Sequence, residues 1–277
     1  MPRPSRQRQL AKLAARRQAE RRRRRRQRLL AGAIAAAVAL GGGGFAAAAL
    51  LTGGSPGPAN RPSPTPTPPA SSTPSATGVA CGAKAPAAAA KVASFNGKYK
   101  KPPKTTISTK KTYVATMRTS CGTITIALDP KDAPNTVNSL VFLAGQHFFD
   151  GSTFHRIAKN FVIQGGDPTG QGSGGPGYST VDAPPKGAMY PVGTMAMAKT
   201  SSDPAGTSGS QFFIVTSASA QSALAPGGVG AYAIVGHVTS GMDVVQKIAA
   251  LPIKGGGTDG FPAQTVYIDK VTIKVEG

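Results

Sequence analysis

Residues 112–277 predict a mainly β domain, a closed antiparallel barrel capped by two helices, and three observations carry that prediction. Short stretches of alternating apolar and polar residues recur through the region, glycine-rich loops separate them, and only two stretches show helical spacing. Alternation with a period of two turns one face of each strand inward, and many short strands joined by turns close best as a barrel. Ahead of this domain the sequence predicts a transmembrane helix and a disordered, Pro-rich linker.

The charge distribution sets the first boundary. Of the 277 residues, those at 1–28 hold 13 Lys+Arg against one acid, including the run Arg21 to Arg26. Residues 29–118 hold 10 Lys+Arg and no acid, whereas residues 119–277 hold 9 Lys+Arg against 10 acids. The net charge of +21 therefore belongs to the extensions, and the domain itself is close to neutral. That removes most of the case for a nucleic-acid-binding domain and leaves binding through the basic tail, residues 1–28, as a third reading.

Residues 29–52 form an uncharged stretch of 24 residues rich in Ala, Leu, Val and Gly. As a helix rising ~1.5 Å per residue it would cross a ~30 Å hydrocarbon core. The basic tail stays on the cytoplasmic side, so the domain is expected outside the membrane. Two readings of the stretch remain: an uncleaved signal anchor, or a signal peptide cut near the alanines at 46–49. The long basic tail and long apolar stretch favour the anchor; Gly41 to Gly44 weaken a helix and argue against it.

Residues 53–80 contain eight prolines in 28 positions among Ser, Thr, Ala and Gly. Such a composition cannot bury enough apolar surface to fold and reads as an extended stalk. Residues 81–111 form a basic, proline-broken extension. Cys81 and Cys121 are the two cysteines. Both lie beyond the apolar stretch, where oxidation is permitted, and a disulfide pinning the extension to the barrel is expected. The alternative is two unpaired thiols.

Within the domain, strands are expected at 112–118 and 123–128, joined by a tight hairpin around Cys121-Gly122. A helix follows, with Asp132 as N-cap, Pro134 in the first turn, and Val137, Leu140, Val141 and Ala144 at helical spacing up to Gly145. Further strands are expected at 152–157, 161–166, 194–198, 211–216 and 232–238. The second helix runs from Met242 to Leu251. The last strand, 266–275, changes phase around Asp269-Lys270, which predicts a bulge.

Some patterns carry no chemistry. Two overlapping G-x-G-x-x-G matches, starting at Gly170 and Gly172, run into PGYSTVDAPP, which cannot open the helix a dinucleotide site requires. The segment reads as a flexible loop. No P-loop, nucleophile elbow or zinc spacing occurs, and His147, His155 and His237 are scattered. No cofactor or metal is expected.

Three segments carry the chemistry: FHRI (154–157), FVIQGGD (161–167) and GSQFFI (209–214). Regular strands would place Phe154 and Arg156 on one face with His155 opposite, Phe161 and Ile163 against Val162 and Gln164 unless a bulge intervenes, and Gln211 with Phe213 against Phe212. Arginine and glutamines interleaved with phenylalanines suit an apolar pocket with a few directed donors. Taken singly, each Arg or Phe would be a surface, ion-paired or core residue. Asp167 is expected to fix a turn after Gly165-Gly166.

In order and spacing these segments resemble the signature of the cyclophilin family of peptidyl-prolyl cis/trans isomerases. The likeness extends to DAPNTVNSLVFLA (132–144) and YAIVGHVTSGMDVVQKI (232–248), and so covers about residues 112–276. It implies an eight-stranded barrel with two capping helices and a proline-binding groove on the outer face. By motif position Arg156 is the catalytic arginine. Phe161, Val162, Phe213 and Leu224 line the proline pocket, Gln164 and Gln211 orient the substrate backbone, and Ala198, Lys199 and Tyr232 border the groove. Val162, Lys199, Tyr232 and Ala223 depart from the residues common there, which bears on substrate preference.

The implied chemistry is simple. Amide rotation faces a barrier of ~18–20 kcal/mol because the nitrogen lone pair is delocalised. A guanidinium beside the prolyl nitrogen can donate to that lone pair once it localises in the twisted state. The expected protein is a monomeric isomerase acting on proline-containing polypeptides outside the membrane. The competing reading is a non-catalytic, proline-binding chaperone or scaffold on the same anchor.

Overall fold

The computed structural model describes residues 78–224 and 231–276. The basic tail, the apolar stretch at 29–52 and nearly all of the Pro-rich linker lie outside the described residues. Among the described residues no helix is long and apolar enough to cross a membrane.

The chain opens the barrel with a hairpin. Strands β1 (Thr112–Thr119) and β2 (Gly122–Leu128) pair antiparallel across the two-residue turn Ser120-Cys121. Thr119 Oγ1 clamps the turn by donating to the Gly122 carbonyl and accepting the Cys121 N–H. Tyr113, Ala115 and Met117 on β1 alternate inward, as do Ile124, Ile126 and Leu128 on β2. Each large side chain buried this way contributes about 1.5–3 kcal/mol.

Helix α1 (Pro134–Gly145) follows with proline in its first turn, where the missing N–H costs nothing. Asp132 does not cap it. Asp182 does so instead. Its Oδ2 accepts the Thr136 N–H and hydroxyl at 2.6 and 2.7 Å, and its Oδ1 accepts Asn135 Nδ2 at 2.9 Å. A buried carboxylate on the first-turn amides also meets the positive end of the helix dipole, so the remote group displaces the local one. Asp182 is held there by the ribbon of β5 (Thr180–Val181) and β7 (Thr207–Ser208).

The remaining strands are β3 (Ser152–Ala158), β4 (Val162–Asp167), β6 (Thr194–Met197), β8 (Phe212–Val215), β9 (Ile234–Ser240), β10 (Asp259–Gly260) and β11 (Val266–Glu276). Eight strands close a ring in the order β3, β11, β1, β2, β9, β6, β8, β4, with β4 returning to β3, and every pairing is antiparallel. Strand β10 shares with β11 one edge of β3, opposite Ile157 and Ala158. In β11, Arg118 faces Lys270 while Thr119 faces Ile268, so Asp269 is the extra residue of the expected bulge.

Helix α3 (Met242–Ala250) buries Val245 and Ile248, and α1 buries Val137, Leu140 and Leu143; these are the two expected caps. A third, seven-residue helix, α2 (Ala218–Leu224), stands where no helix was expected and buries Ala220 and Leu224. The barrel interior is apolar, with Phe154 and Phe212 edge to face at 5.9 Å.

The extension packs against this barrel. Val79 and Ala80, at the end of the stretch expected to be disordered linker, instead pair with Thr265, which corrects that boundary, and Cys81 is bonded to Cys121 in the β1–β2 turn. Phe95 meets Phe148 edge to face at 5.6 Å, Tyr99 meets Phe142 at 5.2 Å, and Asn138 Oδ1 accepts the Thr106 N–H at 2.9 Å.

Candidate active site

Two register irregularities on β3 decide which side chains reach the outer surface. Thr153 faces Asp167, Phe154 faces Gly165, and Arg156 faces Gln164, leaving His155 as a bulged residue. The bulge separates the two side chains that regular alternation would have placed together. Phe154 belongs to the barrel core, whereas Arg156 turns out toward Gln164 and Asp259. The expected pairing of Phe154 with Arg156 on one face is therefore corrected. So is the grouping on the next segment, because Phe161 precedes β4 and joins Val162 in the outer cluster while Ile163 points into the barrel. On β8 alternation holds. Phe213 is in the outer cluster and Phe212 is in the core.

The outer cluster contains Val162, Phe213, Leu224 and Tyr232, all buried, with Phe161 and Ala198 partly buried against it. Strands β4 and β8 bring the first two, α2 brings Leu224, and the approach to β9 brings Tyr232. Phe213 and Tyr232 stand edge to face at 5.2 Å, and Lys199 Nζ lies 5.5 Å above the Tyr232 ring. Tyr190, which the sequence did not single out, secures Tyr232. Its hydroxyl donates to the Tyr232 carbonyl and accepts the Tyr232 N–H, at 2.9 and 3.0 Å. Burial pushes the Tyr190 phenol up to about 12, so it stays protonated as that donor.

A polar chain runs beside the apolar cluster. Arg156 donates through Nε and Nη2 to the two oxygens of Asp259 at 2.7 and 2.5 Å, and through Nη1 to Gln164 Oε1 at 3.0 Å. Gln164 Nε2 donates to Gln211 Oε1 at 3.0 Å, and Gln211 Nε2 donates to the Gly174 carbonyl at 2.9 Å. The Arg156 side chain is only 5% exposed. Such a charge must be paired, and the bidentate fork to Asp259 pairs it. The sequence reading missed Asp259. A buried arginine demands a carboxylate, but nothing local says that the carboxylate comes from GGGTDG a hundred residues on.

The Asp167 carboxylate ties the glycine-rich loop together. It accepts the N–H groups of Thr169, Gly172 and Gly174 and the Thr169 hydroxyl, all within 3.0 Å. Gly174 is required by this packing, since a Cβ there would lie 2.1 Å from Asp167 Oδ1. Gly166 is required too. Its φ is +84° and a Cβ would meet the Ser210 carbonyl at 2.3 Å. The loop, Gln164, Gln211, Ala198 and Lys199 enclose a cavity of about 690 Å³ next to the arginine. Of the site residues expected from the sequence, Gln164, Gln211, Ala198 and Lys199 line this cavity, Phe161, Val162, Phe213, Leu224 and Tyr232 belong to the apolar cluster, and Arg156 is hydrogen-bonded to Gln164. His155 does not line that cavity. It is 4% exposed, and burial holds it neutral, below the usual imidazole range.

The family model described as cyclophilin type peptidyl-prolyl cis-trans isomerase/CLD matches residues 114–273. The chain belongs to the cyclophilin family. Among curated cyclophilins it is 38% identical over 173 residues to a Mycobacterium tuberculosis protein named "Probable peptidyl-prolyl cis-trans isomerase B", covering 57% of this chain and 53% of that one. The chain thus spans about half the length of that relative. It is 38% identical over 179 residues to the peptidyl-prolyl cis-trans isomerase B of Streptomyces anulatus, covering 58% of this chain and 95% of that one. A solved cyclophilin-type isomerase of Cryptosporidium parvum, in the presence of the dipeptide Ala-Pro, covers 58% of this chain and 98% of its own, with a TM-score of 0.50 and 26% identity. The family match begins at residue 114, beyond the extension.

Proposed function

We propose that this chain isomerises X-Pro bonds of polypeptides outside the cytoplasmic membrane. One observation carries the reading: a buried guanidinium, fixed on two sides by Asp259 and Gln164, beside an apolar cluster built on Phe161, Val162, Phe213 and Leu224. The cluster suits a prolyl ring, and the Ala-Pro present with the C. parvum structure has the matching chemistry. Gln164 and Gln211 are placed to orient the peptide backbone. As the amide twists, the prolyl nitrogen regains its lone pair, and a fixed donor stabilises that state more than the planar one. No bond is broken, so no nucleophile is required.

The location rests on two features. The basic tail followed by the uncharged stretch at 29–52 reads as a signal anchor with the domain outside. The Cys81–Cys121 disulfide supports an oxidising compartment.

Exchange NMR on an X-Pro peptide tests the activity: catalytic amounts of the full chain should speed cis/trans exchange. Peptide binding with no acceleration would favour the scaffold reading. Protease added to intact cells should remove the domain and spare residues 1–28. A mature protein beginning near residue 50 would replace the anchor by a cleaved leader.

A further inference from the structure

The extension meets the glycine-rich loop through residues 96–99, by main-chain hydrogen bonds and by one from the Asn96 side chain. Asn96 Oδ1 accepts the Gly175 N–H at 3.0 Å, the Gly97 N–H donates to the Gly175 carbonyl at 2.9 Å, and the Tyr99 N–H donates to the Pro176 carbonyl at 2.8 Å. The approach is close. A Cβ on Gly177 would lie 2.2 Å from the Tyr99 carbonyl. Asn96 and Gly97 also form part of the wall of the cavity beside Gln164 and Gln211.

The loop residue next to this contact is Gly174, whose carbonyl receives Gln211 Nε2. From Gln211 the hydrogen bonds continue through Gln164 to Arg156. The strap is tied at both ends, by the disulfide at Cys81 and by the Tyr99 and Phe95 rings packed on α1 and on Phe148. A segment outside the matched residues is therefore joined to the arginine of the proposed reaction through the main chain at 174–175 and the hydrogen bonds of Gln211 and Gln164.

We infer that residues 96–99 are a positioning strap: they hold the 174–176 loop so that Gln211 and Gln164 fix the Arg156 guanidinium in its productive orientation. This rests on the isomerase reading and adds to it a group that acts through Gln211 and Gln164. Loosening the strap should act on turnover, because the orientation of a donor matters most in the twisted state. A strap that served only as a wall would act on peptide affinity.

The test uses the full chain carrying Gly97→Pro, Asn96→Ala or Asn96→Asp. Proline cannot adopt the φ of +66° found at Gly97 and has no N–H to donate. Gly97→Pro should lower turnover about tenfold with peptide affinity within about twofold, matching a lost orientation of roughly 1.4 kcal/mol. Asn96→Ala should lose about two- to threefold, as expected for one partly solvated hydrogen bond. Asn96→Asp keeps the acceptor and should restore wild-type turnover. In a Gln211→Ala background, Gly97→Pro should cost nothing further, because the two act through one path. The Arg156 Nε–Hε NMR resonance should shift in Gly97→Pro, a readout that stands whether or not the wild type turns over. An unshifted resonance, or a loss confined to affinity, overturns the inference. Inactivity of the wild type itself would overturn the isomerase reading instead.

Discussion

Asp259 and Arg156 meet through two parallel hydrogen bonds although 103 residues separate them in sequence. The meeting is a product of topology. Asp259 pairs with Ala158 where β10 joins the edge of β3, and from there its carboxylate reaches the guanidinium two residues back along β3. Arginine's planar fork matches a carboxylate in two places at once, so the pair fixes the plane of the guanidinium as well as its position.

Replacing Asp259 with Asn should therefore reduce turnover by about tenfold while peptide affinity changes little. The variant should also be less stable, by about 1–2 kcal/mol. Breaking a wholly buried pair costs about 3–5 kcal/mol, and that figure is reduced here because the carboxylate is 36% exposed and screened by water. Exchange NMR and thermal melts on the same samples check both. Unchanged or faster turnover would mean that Asp259 only neutralises the arginine.

The Cys81–Cys121 bond closes a loop of 40 residues. In the chain-entropy view such a closure contributes up to about 4 kcal/mol, so Cys81→Ser or a reductant should lower the melting temperature by several degrees. Protection of the Val79–Thr265 bridge from hydrogen exchange should fall with it. Both cysteines recovered free in protein isolated from cells would remove the bond from this account.

Acid should unfold the domain in two stages. Burial lowers the proton affinity of His155, opposed by the charge of Asp167 and assisted by that of Arg156. The unfolded chain takes up that proton at about pH 6.5 and the folded one resists, so stability falls as pH drops below about 6.5. For Asp167, burial alone pushes the carboxyl up. The Gly174 and Thr169 amides and the Thr169 hydroxyl, with His155, outweigh it and hold it below the usual carboxylate value. Its contribution is complete above about pH 4 and is lost as pH falls through the lower folded value. Urea midpoints between pH 7 and 2 should show both stages. His155→Gln should flatten the first and Asp167→Asn the second; the same slopes in both variants would assign the effect elsewhere.

The sequence reading reached the parts of the fold that local periodicity controls. The phase change in VYIDKVTIKV located the bulge at Asp269, and helical spacing located α1 and α3 to within a residue or two. It failed where a distant group overrides a local one. Asp132 looked like a cap until the ribbon carried Asp182 to the same amides. FHRI looked like a regular strand, and only pairing with β4 reveals the bulge at His155 that sends Arg156 outward. The basic extension hid its tertiary contacts for a similar reason: the partners of Cys81, Phe95 and Tyr99, and of the main-chain hydrogen bonds at 97–99, lie far away in sequence.

The central claim is that Arg156 acts on the twisted state rather than on binding, and Arg156→Ala tests it most directly. Exchange NMR should show turnover lower by on the order of 10²–10³, by analogy with loss of an oxyanion-type donor. Affinity for the X-Pro peptide should change far less, because Phe161, Phe213 and Leu224 remain. Arg156→Lys should be nearly as slow, since an ammonium has no planar fork. Melting curves must show both variants folded. Wild-type turnover in folded Arg156→Ala would contradict the account.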